Sequence, residues 1–362
     1  LLLHQQENLV WFPFFLKARD RVQAMETAIV RNCHRRILCL SQALSIVING
    51  LIMKLSQVAG GNLAASTAEG WIKYGFVVIF EGLLSVTGKE RTMLEDTFST
   101  VESLRLFTAR IVEGTGHEVD VTFQERTAII SLPIESLKLL PGVYRNAGTA
   151  GVEIKLVTVL FNQGIDMQQS IAFASQTTTD GYRNSGELQR VFNMKSLSIL
   201  NTYCHSLPQT NALKRMETTL NFLADGEEVH FVMHNMSKTL QDTPVGQKNV
   251  SVLECLEDIA VQLDALRVTF CKSGKDRTGM AVTLEQSRYM ARKFGIGTNN
   301  KDIVIHNANI MREYGTRLDV VEKNIKKRCY AINAIQATFL PEEYKPPSRV
   351  LEDLIRNDGD NT

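Results

Sequence analysis

Val268-Thr269-Phe270-Cys271-Lys272-Ser273-Gly274-Lys275-Asp276-Arg277-Thr278-Gly279-Met280 is the stretch whose reading decides this chain. A short β-prone apolar run enters a tight polar loop, and the pattern from Thr278 to Phe294 is helical. A strand that turns into a helix N-terminus through such a loop converges backbone N–H groups on one point, where the helix dipole adds positive potential. That is a cradle for an anion.

The side chains in the loop say which chemistry the cradle serves. A thiol at Cys271, placed at a helix N-terminus beside cations, is favoured as the nucleophilic thiolate. Arg277, six residues on, can fold back and grip two phosphate oxygens with a planar fork that lysine lacks. Gly274 permits close backbone approach, Ser273 completes the polar rim, and the Thr278 hydroxyl can stabilise the sulfur as it leaves. The implied reaction is two in-line displacements through a cysteinyl-phosphate, with no metal or other cofactor needed. Lys272 and Lys275 place two more charges beside the reacting phosphate, which suits a polyanion such as a multiply phosphorylated inositol ring better than a phosphotyrosine slot. The leaving alkoxide needs a proton donor; Asp276 inside the loop is the first candidate, and Asp242, in an upstream Pro/Gly loop able to close over the site, is the second.

Composition sets the frame. The chain has 362 residues, 44% hydrophobic and 22% charged, with a formal net charge of +1, which gives no case for nucleic-acid binding. Six scattered cysteines without a CxxC pair point to reduced thiols and an intracellular setting. The opening Leu1-Leu2-Leu3-His4 reads as the interior of a helix, so the chain is expected to be part of a longer one. Ile37–Met53 and Tyr74–Val86 are apolar but interrupted, and are expected to be buried helices rather than membrane spans.

Periodicity fills in the rest. Val22, Met25, Ile29, Cys33, Ile37, Leu40, Leu44, Val47 and Leu51 lie on one stripe of a long helix that Gly60-Gly61 ends. Further helices are expected over 68–86 and 91–112, making the first 112 residues a helical bundle that buttresses a later sheet. Alternation at Val119, Val121 and Phe123, followed by Thr127–Leu132, predicts a hairpin or edge strands, and Val152–Phe161 a buried strand. Helices are expected at 188–207, 213–223, 253–263, 301–314 and 318–339, with a polar tail beyond Pro346. Lys323, Lys326, Lys327 and Arg328 form a basic cluster that reads either as a solvated helix face or as a contact to a second ring phosphate or an anionic bilayer. His230 and His234 are four apart but lack a third ligand at motif spacing, and read as structural.

The loop CKSGKDRTGM with the following AVTLEQ resembles the inositol polyphosphate 4-phosphatase family, a branch of the CX5R phosphatases. The likeness extends to Phe80–Ser85, Met93–Asp96, Val159–Ile165, Lys323–Arg328 with Tyr330-Ala331, and Tyr344–Pro347. It implies an α/β fold with a protein-tyrosine-phosphatase-like sheet flanked by helices and a helical N-terminal extension. The expected organisation is a helical region over 1–115, a catalytic domain over 116–347 and a tail over 348–362. It further implies removal of the 4-phosphate from phosphatidylinositol 3,4-bisphosphate, with Cys271 as nucleophile, Arg277 as phosphate binder and Lys272 and Lys275 as loop lysines. The partners expected are a phosphoinositide headgroup or inositol polyphosphate and an anionic membrane surface, met by a cytoplasmic protein peripheral to endosomal or plasma membranes. Two features depart from the family: glycine at 274, where the eukaryotic loop has alanine and bacterial effectors have glycine, and the absence from these residues of a lipid-binding C2 domain. The first leaves the 4,5-bisphosphate open as substrate. A protein phosphatase, or a silent scaffold that binds acidic headgroups, are the other readings.

Overall fold

The run Phe76-Val77-Val78-Ile79-Phe80 has no helical or alternating period, and it forms an interior strand of a sheet. The computed structural model describes residues 2–114, 119–134, 140–147, 150–174, 183–207, 229–296 and 300–352. In it β1 (Phe76–Gly82) lies between β5 (Val152–Asn162) and β6 (Leu266–Phe270), parallel to both. On the far side of β5 come β2 (Phe107–Glu113, antiparallel to β5), then β4 (Thr127–Ile134, parallel to β2), then the antiparallel edge strand β3 (Asp120–Gln124). The result is a mixed six-stranded sheet in the order β3-β4-β2-β5-β1-β6.

Helices cover both faces, which is why β1 is buried at every residue and runs apolar from Phe76 to Phe80 instead of alternating. Phe76, Val78 and Phe80 point into a core shared with α1 (Leu2–Ala59), α2 (Ala65–Tyr74) and α3 (Gly88–Leu104). Val77 and Ile79 point into a second core with α6 (Arg183–Ser206), α7 (Val229–Asp242) and α8 (Ser251–Gln262). Each of these buried side chains contributes roughly 1.5–3 kcal/mol. Two short helices, α4 (Gly142–Ala147) and α5 (Met167–Ala174), flank β5. A third core gathers α9 (Asp276–Phe294), α10 (Lys301–Tyr314), α11 (Thr316–Ile325), β7 (Tyr330–Asn333) and α12 (Ala334–Thr338), and β8 (Leu351–Glu352) pairs with β7.

Several expectations are corrected. The helix expected over 68–86 ends at Tyr74, where Gly75 takes φ 99°, and 76–82 is β1. The helix expected over 91–112 ends at Leu104, and 107–113 is β2. The first 112 residues are therefore not a helical bundle: two strands of the sheet come from them. The 318–339 helix breaks at Lys326, which adopts a left-handed φ of 61°, and β7 and α12 follow; the Asn333–Gln336 capping box starts the latter. The hairpin, the buried strand at 152 and the helix after Cys271 are as expected. The 213–223 segment and the tail past 352 lie outside the described residues.

The α1 stripe is divided. Ala43, Val47, Leu51, Leu55 and Val58 are buried, whereas Val22, Met25, Ile29 and Ile37 on the same stripe are exposed. Leu16–Ala59 is long and apolar enough to cross a membrane. One face of its second half packs into the core, while Ile37, Leu38, Ile46, Ile52 and Met53 are exposed, so 37–53 is a helix buried on one side rather than the buried helix expected.

Arg312 on α10 is fully buried. It donates to the carbonyls of Met280 (3.0 Å), Glu343 (2.6 Å) and Lys345 (2.9 Å), to Thr283 Oγ1 (3.0 Å) and to Asn309 Oδ1 (2.8 Å). Burial pulls this guanidinium down to about 10. It stitches α9 to the 343–345 segment. Arg312→Met, which keeps the length but none of the donors, should lower unfolding stability by about 3 kcal/mol or more, read from a urea midpoint at pH 7.

Candidate functional site

Three strand exits meet at the carboxyl ends of β5, β1 and β6, the edge of an open parallel sheet where ligands bind. Leu83 N donates to Phe270 O (2.9 Å) and Gln163 N donates to Gly82 O (2.9 Å), so the three exits are pinned side by side. Asn162 reinforces this: its Oδ1 accepts from Leu84 N (3.1 Å) and its Nδ2 donates to Leu84 O (2.8 Å). A Cβ on Gly82 would sit 2.5 Å from that Asn162 oxygen, which is why a glycine stands there.

Cys271 follows β6 directly and is buried, 7% exposed. Gly274 takes φ 66°, a left-handed turn that redirects the loop, and the Gly279 N to Lys275 O bond (2.8 Å) begins α9. Lys275 is the N-cap and offers no side-chain cap. Cys271, Lys272, Ser273, Asp276 and Arg277 line a cleft of about 420 Å³.

The geometry of Arg277 is set by residues far away in sequence. Its two terminal nitrogens donate to both oxygens of Glu90 at 2.7 and 2.6 Å, and Nη1 also reaches Leu83 O at 2.8 Å and Asp166 Oδ2 at 2.8 Å. Glu90 in turn accepts from Ser85 N (2.9 Å) and Ser85 Oγ (3.1 Å). Burial works against the guanidinium charge, but Glu90, Asp166 and the Cys271 sulfur outweigh it and hold Arg277 above its ordinary value. Burial alone would raise Glu90; the bonds from Arg277 and Ser85 win and hold it below the usual carboxylate range. Asp166 goes the other way, raised because burial prevails over the attraction of Arg277.

Asp166 is itself held from behind. Lys248 Nζ donates to Asp166 O (2.7 Å), Ile165 O (3.0 Å) and Phe339 O (2.9 Å), tying the loop after β5 to the segment that carries Leu340 into the cleft. Burial takes Lys248 down to about 8.

The remaining sequence candidates are placed as follows. Asp276 Oδ1 accepts from Ala331 N (3.0 Å), so this carboxylate anchors β7 while facing the cleft. Asp242 is the exposed last residue of α7, outside the residues lining the cleft; Thr243–Gln247 line a separate, smaller depression. Thr278 Oγ1 is buried with no hydrogen-bond partner among the described residues. Gly274 and Lys275 shape the loop without lining the cleft, and Lys326 and Lys327 stand away from it at the end of α11. His234 is exposed on α7, and among the described residues no group of three His, Cys, Asp or Glu could hold a metal. The sequence reading missed Glu90, Asp166 and Lys89. The available signal was position: each sits just past a strand end, once 76–82 is read as a strand.

The family described as INPP4A C-terminal domain matches residues 14–344. Human inositol polyphosphate 4-phosphatase type II is 28% identical over 321 residues, 86% of this chain and 32% of the relative. The rat type II inositol 3,4-bisphosphate 4-phosphatase is 29% identical over the same coverage. The human phosphatidylinositol 3,4,5-trisphosphate-dependent Rac exchanger 2 protein is 24% identical over 276 residues, 70% of this chain and 17% of the relative. The chain thus spans about a third of the length of the phosphatase relatives it matches.

Because Glu90 is held below its ordinary value of 4.5, its stabilising contribution is complete above that pH and is lost as pH falls through the lower folded-state value. Glu90→Gln should cost about 1–3 kcal/mol at pH 7. It should also flatten the acid side of the stability curve, a change read from denaturation midpoints between pH 3 and 7.

Proposed function

The chain belongs to the INPP4A C-terminal domain family, and on that footing we propose that it is a phosphoinositide 4-phosphatase using Cys271 as nucleophile. The observation that carries this reading is the joint placement of Cys271 and a carboxylate-locked Arg277 in one cleft, at the N-terminus of α9. The substrate class follows from the relatives, whose names specify inositol 3,4-bisphosphate and the 4-position. Phosphatidylinositol 4,5-bisphosphate, soluble inositol polyphosphates and phosphoproteins are the alternatives within the same chemistry. A strand–cysteine–loop–helix unit at the carboxyl edge of a sheet is also what a protein-tyrosine-phosphatase-like fold requires.

In the first step the Cys271 sulfur attacks phosphorus in line, the S–P bond forms and the bond to the ring oxygen breaks. Arg277 and the loop N–H groups stabilise the equatorial oxygens. Asp166 gives its proton to the departing ring oxygen. Its raised value suits that task, and an arriving phosphate dianion, by repelling the carboxylate, strengthens it further. In the second step water attacks phosphorus, Asp166 takes the water's proton, the S–P bond breaks and inorganic phosphate leaves. Asp276, tied to Ala331, keeps the loop closed onto β7 in this scheme. Work at a bilayer surface by a cytoplasmic, peripherally bound protein fits a lipid substrate.

A second reading is favoured by the Rac exchanger relatives, whose names describe lipid-dependent exchange and no phosphatase. In that case the cleft binds an acidic headgroup without turning it over. Incubation with each singly and doubly phosphorylated phosphatidylinositol, with product identification, separates the two. Turnover of the 3,4-bisphosphate to the 3-phosphate is expected, abolished in Cys271→Ser; headgroup binding with no product from any of them would establish the scaffold. Arg277→Lys should reduce kcat/KM on the order of 10²–10³-fold. Asp166→Asn should reduce kcat for the inositol lipid by roughly 10²–10⁴-fold but far less for an aryl phosphate, whose leaving group needs no proton; equal losses on both would remove Asp166 from the role.

A further inference from the structure

The charges lining the cleft nearly cancel: Lys89, Lys272 and Arg277 face Glu90, Asp166 and Asp276. Arg277 is committed to Glu90 and Asp166. Among the described residues, the cations in the cleft without a carboxylate at ion-pairing distance are Lys89 and Lys272. Lys272 belongs to the loop that holds the reacting phosphate. Lys89 does not; it is the second residue of α3, immediately before the Glu90 that grips Arg277.

The cleft is also asymmetric. Hydrogen bonds place its walls in sequence around the loop: the 87–90 turn beside Arg277, then Asp166, then the 339–340 segment through Lys248, then Ala331 beside Asp276. The wall from Ala331 to Leu340 is mostly apolar, whereas the 87–90 wall carries the exposed ammonium of Lys89 and the Thr87 hydroxyl, which makes no capping bond. A ring whose reacting phosphate is seated on Cys271 and Arg277 therefore has one flank on which a neighbouring phosphate meets a cation. The Lys326–Lys327 pair, outside the cleft, offers no such contact.

Resting on the phosphatase reading for the orientation of the ring, we infer that Lys89 binds the ring phosphate that is not hydrolysed, and so selects vicinal bisphosphates over monophosphates. The ligand class is a phosphorylated cyclitol with phosphates on adjacent carbons, free or as a lipid headgroup.

The test is made on the full chain in a Cys271→Ser background, so that binding is measured without turnover. Titrations use the soluble headgroup of the 3,4-bisphosphate, the same headgroup phosphorylated at the 4-position alone, and inorganic phosphate. Lys89→Ala should reduce the ratio of bisphosphate to 4-monophosphate affinity about tenfold, ~1.4 kcal/mol, and Lys89→Arg should restore most of it. A ratio unchanged by Lys89→Ala overturns the assignment, whether both affinities hold or both fall together. With Cys271 intact, the KM ratio for the two lipids in mixed vesicles should shift in the same direction. Failure of catalysis with a retained shift in binding would overturn the phosphatase reading while leaving Lys89 as the selector.

Discussion

A guanidinium withdrawn from water and clasped by two carboxylates is the constraint around which this chain is arranged. An arginine removed from solvent is costly unless its donors are met, and the two terminal nitrogens of Arg277 are met by Glu90, Asp166 and Leu83 O. Those partners come from the ends of β1 and β5, so the cost of burying the charge is offset only when three separate strands end at one level. The sheet register, the Asn162 bridge and the glycine at 82 all serve that alignment. The same clasp fixes the plane of the guanidinium, and with it the shape of anion the loop can accept.

The two carboxylates at Arg277 are not equivalent, and the difference comes from their surroundings. Glu90 accepts four hydrogen bonds, two from Arg277 and two from Ser85, and is held ionised. Asp166 has one contact to the guanidinium, and burial prevails there. A fixed anion that orients and a second carboxyl able to carry a proton are what acid-assisted phosphoryl transfer asks for. Lys248 stabilises this division by holding the backbone of Asp166 instead of its carboxylate, which leaves the carboxyl group facing the cleft.

What could be read in advance followed from how local each signal is. The loop from Cys271 to Arg277 was legible because its cysteine, glycine and arginine act within seven residues. The edge hairpin was legible because its alternation shows on one exposed and one buried strand. Strand β1 was not, because a strand buried on both faces shows the same unbroken apolar run as a buried helix. Strand β2 was hidden for another reason: Leu104, Phe107 and Ile111 continue the spacing of α3 by coincidence, and only the turn at Arg105-Leu106 separates them. Glu90 lies 187 residues from its partner, a distance no motif spans. Asp166 went unread by the same logic, since proximity in sequence favoured Asp276, which does line the cleft, and a loop proline favoured Asp242, which does not.

Arg312 has an implication for where this folded unit finishes. Two of its acceptors, the carbonyls of Glu343 and Lys345, lie beyond every strand of the main sheet, and a third is Met280, one turn into the helix that begins at the loop. A chain cut short of Lys345 would strand a positive charge in the interior, against the helix that bears Arg277. The last stretch before Pro346 is thus a keystone and not an appendage, and this folded unit is closed by a buried cation rather than by the edges of its sheet.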